Sequence, residues 1–452
     1  MTLLMTAFKE NTIYENNNLA NFLEKLEERF DVHEEIEFFN KLVNFSENNL
    51  RPLHGWFKYR EGYSHTLVRE MIQRFPLDIK HEFIIDPFCG AGTTLVEASF
   101  NNIDSMGIDV NPMSVAITNA KTNNYRTEDF NDIEGLIEDI LSIETDNESL
   151  KEFEDIQNYF TEENLTSLIS IKRFIGSIPN KNIKDLFFSG FLSIIEESSD
   201  RKRDGNGLKK APSKVLSVIE FYYLKMKSLY KDVGESPLGT KGTGYFGSAR
   251  QLSDYVIDFK KQVNKEPGLI VFSPPYANSF DYFESYKMEL RMGDYIPRLG
   301  TKGIGSLREK AVRSFISSSN EKIEVDEYIE LLAEEIEKAI PNKEASTGKR
   351  DNRTRKVPQM IRGYFFDMGN ILEQCSKVLS KGKKCCIVVD QSSYLGKIVP
   401  TDLLLGYLGE KVGFKVTEII VCRKAKTSGQ QIQKFPYLAN SMRESIVILE
   451  KK

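Results

Sequence analysis

The sequence predicts an α/β protein with a doubly wound, mostly parallel sheet, a terminal antiparallel strand and largely helical insertions. Three observations predict it. HEFIIDPFCGAGTTLVEASF and SMGIDVNPMSVAITNAK are successive strand-turn-helix units, the pattern of a parallel sheet wrapped by helices. GLIVFSPPY is a buried apolar strand stopped by a proline turn. The closing strands KVTEIIVCRK and ESIVILEK are joined by TSGQQIQKFPYLANSMR, too short for a crossover helix with its turns, so they pair antiparallel.

Taken in order, residues 19 to 45 read as amphipathic helix, with Phe22, Leu23, Leu26 and Phe30, then Ile36, Phe39, Leu42 and Val43, at roughly helical spacing. RPLHGWFKYREGYS is aromatic and basic, and Ser64 caps a helix from His65 to about Phe75. A strand from Phe83 to Asp86 enters the glycine turn, and a second strand ends at Asp109 before a turn at Asn111-Pro112. Residues 126 to 240 are helical by pattern and include the basic loop DRKRDGNGLKK, with Arg201, Lys202, Arg203, Lys209 and Lys210. Strands resume with GYFGSARQL and with Leu269 to Phe272. A second basic insertion contains Lys349, Arg350, Arg353, Arg355 and Lys356, and helix and strand then alternate to the end. The chain thus divides into an N-terminal helical segment (1–50), a first core part with the glycine turn (51–125), and a helical insertion (126–240). A core part with the proline turn (241–296), a basic insertion (297–358) and a closing core part (359–452) follow.

Composition excludes several classes. A net charge of −5 argues against coating nucleic acid by bulk charge, so any such surface is local. No apolar run reaches the ~20 residues of a membrane-spanning helix, and MTLLMTAFKENTIYENNN has no basic leader, which reads as cytoplasmic. Five cysteines without a CxxC pair suggest reduced, mostly buried thiols, and four scattered histidines suggest no metal site.

Gly90 and Gly92 let backbone approach a ligand closely, and the helix after them offers free N–H groups. Leu95 stands where a dinucleotide fingerprint has its third glycine, which lowers a nicotinamide reading. Asp109, at the next strand end, can accept both hydroxyls of an adenosine ribose. Together these fit an adenosyl ligand.

Here a specific resemblance enters. DPFCGAGTT is similar to the cofactor motif of S-adenosylmethionine-dependent DNA amino-methyltransferases, matching at Asp86, Phe88, Gly90 and Gly92. The resemblance implies a Rossmann-like methyltransferase core and S-adenosyl-L-methionine as cofactor. It implies Asp86 near the methionine amine, Phe88 packed on the cofactor, the glycines beneath it and Asp109 on the ribose. Pro87, Thr93 and Thr94 belong to the same binding set. GSARQL resembles the third cofactor motif, with Ser248 where an aspartate usually receives the adenine amine.

The tetrad Ser273-Pro274-Pro275-Tyr276 suits amino methylation. An exocyclic amine has its lone pair delocalised into the ring, and acceptors for its hydrogens restore nucleophilicity. Proline-proline geometry presents the Pro274 carbonyl, and Ser273 adds a hydroxyl. Tyr276 offers a face on which a flipped base can stack. The resemblance implies a site-specific enzyme of a restriction-modification system, acting on duplex DNA with a flipped base beside a cognate endonuclease. Serine at the first tetrad position favours cytosine N4; adenine N6, an RNA amine (in transfer RNA, for instance), and a non-catalytic DNA-binding subunit are the alternatives. Cytosine carbon-5 is disfavoured because no Pro-Cys nucleophile occurs. NSFDYFESYKMELRMG, IVVDQS, RESIVIL and HGWFKYREGYS extend the resemblance to the N4-type subgroup, and the two insertions are the candidates for target recognition.

Overall fold

The computed structural model describes residues 13–60, 62–205, 207–236, 238–316, 323–425 and 429–452. The start of the predicted N-terminal segment and residues 317–322 of the second insertion lie outside the described residues.

The strands in chain order are β1 (Val32–Glu34), β2 (Glu82–Asp86), β3 (Ser105–Asp109), β4 (Arg201–Asp204), β5 (Gly207–Lys210) and β6 (Gly242–Phe246). They continue as β7 (Glu266–Phe272), β8 (Lys384–Asp390), β9 (Ser392–Tyr394), β10 (Lys397–Val399), β11 (Phe414–Lys424) and β12 (Arg443–Lys451). Eight form one sheet in the order β1-β11-β12-β8-β7-β2-β3-β6. Every pairing is parallel except those of β12, which lies antiparallel between β8 and β11. The architecture is the doubly wound, Rossmann-like methyltransferase sheet expected from the sequence. Phe83 to Ile85, Leu269 to Phe272, Cys385 to Val389 and Ile446 to Leu449 are almost wholly buried, which is why the central strands read as unbroken apolar runs.

Local signals set most of the helices. Ser64 Oγ accepts the Leu67 N–H at the start of helix His65–Arg74, and the Asn111 side chain accepts the Met113 N–H at the start of helix Pro112–Thr122. All five cysteines are buried free thiols. No helix among the described residues is long and apolar enough to cross a membrane.

Two expectations need correction. The single helix over 19 to 45 is instead helix Asn17–Arg29, the strand β1, and a short helix Ile36–Phe39. Val32 and Ile36 are four apart, which mimics helical period, but Val32 and Glu34 pair with Ile419 and Val421 at the open edge of β11. The basic loop within the first insertion is a β-hairpin, β4 pairing with β5. Its Arg203 is buried, ion-paired to Glu196 and Glu289, with its guanidinium 4.4 Å from the Tyr286 ring centre. Arg203 therefore holds the insertion to the segment after the tetrad and is not part of a solvent-facing basic patch.

The insertion helices Thr127–Asp139, Glu162–Gly176, Lys181–Ser198 and Val218–Glu235 pack into an apolar cluster around Ile133, Leu168, Ile194 and Tyr222 that continues into Val96, Met113 and Ile117 of the core helices.

Candidate functional site

Strands β2 and β7 lie side by side, Ile85 opposite Ile270, and both end at the same sheet edge. The chain leaves β2 toward β3 on one side, whereas β7 neighbours β8 on the other. This is a topological switch point, where the two crossovers diverge and leave a crevice. The glycine turn and the Ser-Pro-Pro-Tyr turn both open on it.

Asp86 closes the first turn from below. Its carboxylate accepts from the Phe88 N–H (2.9 Å), the Tyr63 hydroxyl (2.9 Å) and the Thr94 hydroxyl (2.6 Å). Burial nonetheless pushes its acid up to about 6. Gly90 and Gly92 have φ of +49° and +82°, the left-handed region that glycine enters freely. Asp109 ties this turn to β3, accepting the Gly90 N–H (2.9 Å) and the Asn111 N–H (2.7 Å). It too is raised to about 6 by burial. Beneath the turn, buried Lys121 donates to the Ala91 carbonyl (2.9 Å) and the His54 carbonyl (3.1 Å), and burial pulls it down to about 7.

A cleft of about 780 Å³ lies over the switch point. Of the residues expected at the cofactor, Pro87, Phe88, Asp109 and Ser248 line it, together with Ser273, Pro274 and Pro275 of the tetrad. Asp86, Gly90, Gly92, Thr93 and Thr94 form the layer beneath: Thr94 is fully buried on Asp86, and Thr93 Oγ1 accepts from Asn48 Nδ2 (3.3 Å). The Ser248 hydroxyl donates to the Lys310 carbonyl (3.0 Å), so it fixes the cleft wall. Tyr276 is half-buried against the central core, and its hydroxyl donates to Glu444 Oε1 (3.0 Å).

The residues fit S-adenosylmethionine. Each Asp109 oxygen accepts one backbone N–H and keeps further lone-pair capacity at the cleft, the acceptor pair that a ribose diol requires. Phe88 and Val110 add apolar wall, and Gly90 leaves room for the Tyr59 ring, which an added Cβ would meet at 2.8 Å.

Several cleft residues were not singled out from sequence. Tyr59 lines the cleft, stacks on Tyr286 (ring centres 5.5 Å apart, 5° between planes) and sits above Gly90. The aromatic segment HGWFKYREGYS was the available signal. The strap Lys310 to Phe315 also lines the cleft. It is pinned by buried Asp367, which accepts from Arg313 Nε (2.9 Å) and Arg250 (3.2 Å). No local signal marks the strap, because it belongs to the stretch read as the second insertion.

A second, wider cleft of about 1690 Å³ opens beyond the tetrad at the ends of β7 and β8. Asn278, Ser279, Asp390 and Tyr394 line it on the core side, and Lys343, Arg353 and Lys434 supply cations. Tyr394 donates to the Ala277 carbonyl (2.8 Å), fixing the turn that follows the tetrad.

Comparison with known proteins agrees with this geometry. Residues 65–233 match the family model for D12 class N6 adenine-specific DNA methyltransferases. The chain is 28% identical over 454 residues to the Type II methyltransferase M.AvaI of Nostoc sp., with 91% of this chain and 90% of that protein covered. It is 26% identical over 490 residues to the Type II methyltransferase M.BsoBI of Geobacillus stearothermophilus, covering 97% and 94%. Among solved structures, the rRNA methyltransferase AviRa of Streptomyces viridochromogenes aligns over 90% of this chain and 92% of its own, at 7% identity and a TM-score of 0.31. By its sheet, its switch-point cleft and its likeness to Type II methyltransferases over nearly its whole length, the chain is an S-adenosylmethionine-dependent methyltransferase.

Proposed function

We propose that the chain is a site-specific DNA methyltransferase of a restriction-modification system, methylating the exocyclic N4 amine of a flipped cytosine. The single observation that carries the reading is the position of Ser273-Pro274-Pro275 on the wall of the cofactor cleft, beside the glycine turn at one switch point. Bound there, S-adenosylmethionine supplies an electrophilic methyl on a sulfonium.

The protein contributes position and electrostatics. The Pro274 carbonyl and Ser273 hydroxyl take the amine hydrogens, directing the nitrogen lone pair at the cleft. The Tyr276 ring supports the base, which must leave the duplex to reach a site this deep in the fold. The second cleft supports the approach of a DNA strand, because its cations Lys343, Arg353 and Lys434 suit backbone phosphates. The reading places the protein in the cytoplasm with its DNA, alongside a cognate endonuclease.

A second reading is adenine N6, favoured by the D12 family match. That match spans residues 65–233, the glycine turn and the first insertion, and stops before the tetrad that holds the amine. Serine at position 273 therefore keeps cytosine first. Nucleoside mass spectrometry of DNA from cells expressing the protein tests the choice. N4-methylcytosine is expected; N6-methyladenine alone transfers the assignment to adenine, and methylated RNA with unmodified DNA overturns both. Pro274→Ala and Tyr276→Ala are expected to bind cofactor normally and to lose about 100-fold or more in turnover.

A further inference from the structure

Tyr276 is joined to its surroundings by a directional chain. Ser273 Oγ donates to Tyr276 Oη at 3.2 Å, and Tyr276 Oη donates to Glu444 Oε1 at 3.0 Å. Ser273 opens on the cofactor cleft, whereas Glu444 is 1% exposed at the start of β12. A stacking platform needs only the ring of Tyr276. The hydroxyl, aimed at a buried carboxylate, calls for another explanation.

We infer that Ser273, Tyr276 and Glu444 form a proton relay, with Glu444 the terminal acceptor of the proton that the newly methylated amine must lose. The inference rests on the amine-methylating reading above. Methyl transfer alone would leave the nitrogen positively charged with one hydrogen in excess, and the relay takes that proton in the same step, which ties its action to the rate of transfer. The N–H bond breaks with its electron pair staying on nitrogen, and that proton bonds to Ser273 Oγ. The original Ser273 proton passes to Tyr276 Oη, and the original Tyr276 proton passes to Glu444 Oε1. Serine and tyrosine end unchanged, the amine is neutral, and Glu444 is neutral in place of its carboxylate. Burial raises the Tyr276 phenol well above its ordinary value, so no free phenolate forms and the transfers are concerted.

The surroundings of Glu444 suit an acceptor that must be ionised yet easily protonated. Arg423 of β11 is ion-paired to it and favours the carboxylate. Asp390 of β8 stands directly opposite in the strand register. Burial raises both acids above their ordinary range, and the negative charge of Glu444 raises Asp390 further. The Glu444 charge also raises the Cys422 thiol of β11, and Asp402, paired with Arg443 at 2.6 Å, adds to the negative charge felt by Asp390. Asp390 Oδ1 has no hydrogen-bond partner among the described residues, and Asp390 lines the open second cleft. That side provides the exit for the proton to solvent.

Single-turnover methyl transfer to duplex DNA, measured against pH, tests the relay with Tyr276→Phe and Glu444→Gln. Tyr276→Phe keeps the ring and leaves the Glu444 to Arg423 pair intact, so a loss there cannot arise from a broken ion pair. Wild-type transfer is expected to rise with pH as Glu444 ionises. Both variants are expected to transfer about 100-fold more slowly, with that pH limb gone, and to bind S-adenosylmethionine with unchanged affinity. The double variant is expected to be no slower than either single one. A Tyr276→Phe protein that keeps the wild-type rate, or keeps the limb at a reduced rate, overturns the relay while leaving the methyltransferase reading intact. Wild-type protein that methylates no amine in DNA overturns both.

Discussion

The backbone N–H of Gly90 donates to Asp109 Oδ2 at 2.9 Å, joining the glycine turn after β2 to the acid that ends β3. One carboxylate therefore fixes the floor of the cleft and lines it. Cofactor affinity and turn geometry cannot be separated at Asp109.

Asp109→Ala should weaken S-adenosylmethionine binding by roughly 10- to 100-fold, since hydrogen bonds to a charged acceptor contribute about 1.5–3 kcal/mol. The wild-type acid must be ionised to accept two hydroxyls, and burial raises it to about 6. Affinity should thus be full from about a pH unit above that value and decline as the pH falls through about 6. Calorimetric titration across that range checks both statements; a flat profile would remove Asp109 from the ribose.

Gly90→Ala should destabilise the protein and impair cofactor binding. The residue sits at φ +49°, and an added Cβ would lie 2.8 Å from Tyr59 Cε1. The left-handed backbone alone costs a substituted residue about 1–2 kcal/mol. Gly135, in the helix Thr127–Asp139, has nothing within 4 Å of an added Cβ, so Gly135→Ala should stabilise by about 0.5–1 kcal/mol. Thermal melts of the two variants should shift in opposite directions.

Glu289→Ala should loosen the contact between the β4–β5 hairpin and the segment after the tetrad, because it leaves the buried Arg203 guanidinium with Glu196 as its one remaining carboxylate partner. Removing one of two partners should cost about 1.5–3 kcal/mol, less than the loss of a buried charge's single partner. Neutralising Lys202, exposed on the same hairpin, should change stability by less than about 0.5 kcal/mol. Equal denaturation midpoints for the two variants would contradict the structural role of Arg203.

Lys121 should make the folded protein gain stability with rising pH. Burial holds its amine at about 7 in the fold against 10.5 ordinarily, so between those values the unfolded chain binds the extra proton. The sign follows: stability rises through that window, by at most about 1.4 kcal/mol per pH unit, and is flat for this group below about pH 7. Lys121→Met should abolish the slope in urea denaturation curves. An unchanged slope would place the titration elsewhere.

The parallel core, the antiparallel closing strand, and the two turns that meet at the switch point are legible in the residues alone. Each is encoded locally: apolar runs specify strands buried on both faces, Gly90 and Gly92 admit the positive φ of the turn, and Pro274-Pro275 stiffens the tetrad. Only the tertiary structure decided the use made of those turns. Tyr276 and Glu444 are 168 residues apart in the chain and meet because β12 inserts beside β8. Arg203, one of several cations in a basic run, was drawn inside by Glu196 and Glu289. The strap Lys310 to Phe315 became a wall of the cofactor cleft through Asp367. The reason is physical: backbone preference and hydrophobic period act over a few residues, whereas the partner of a buried charge or hydroxyl depends on which distant strand or helix the packing brings against it.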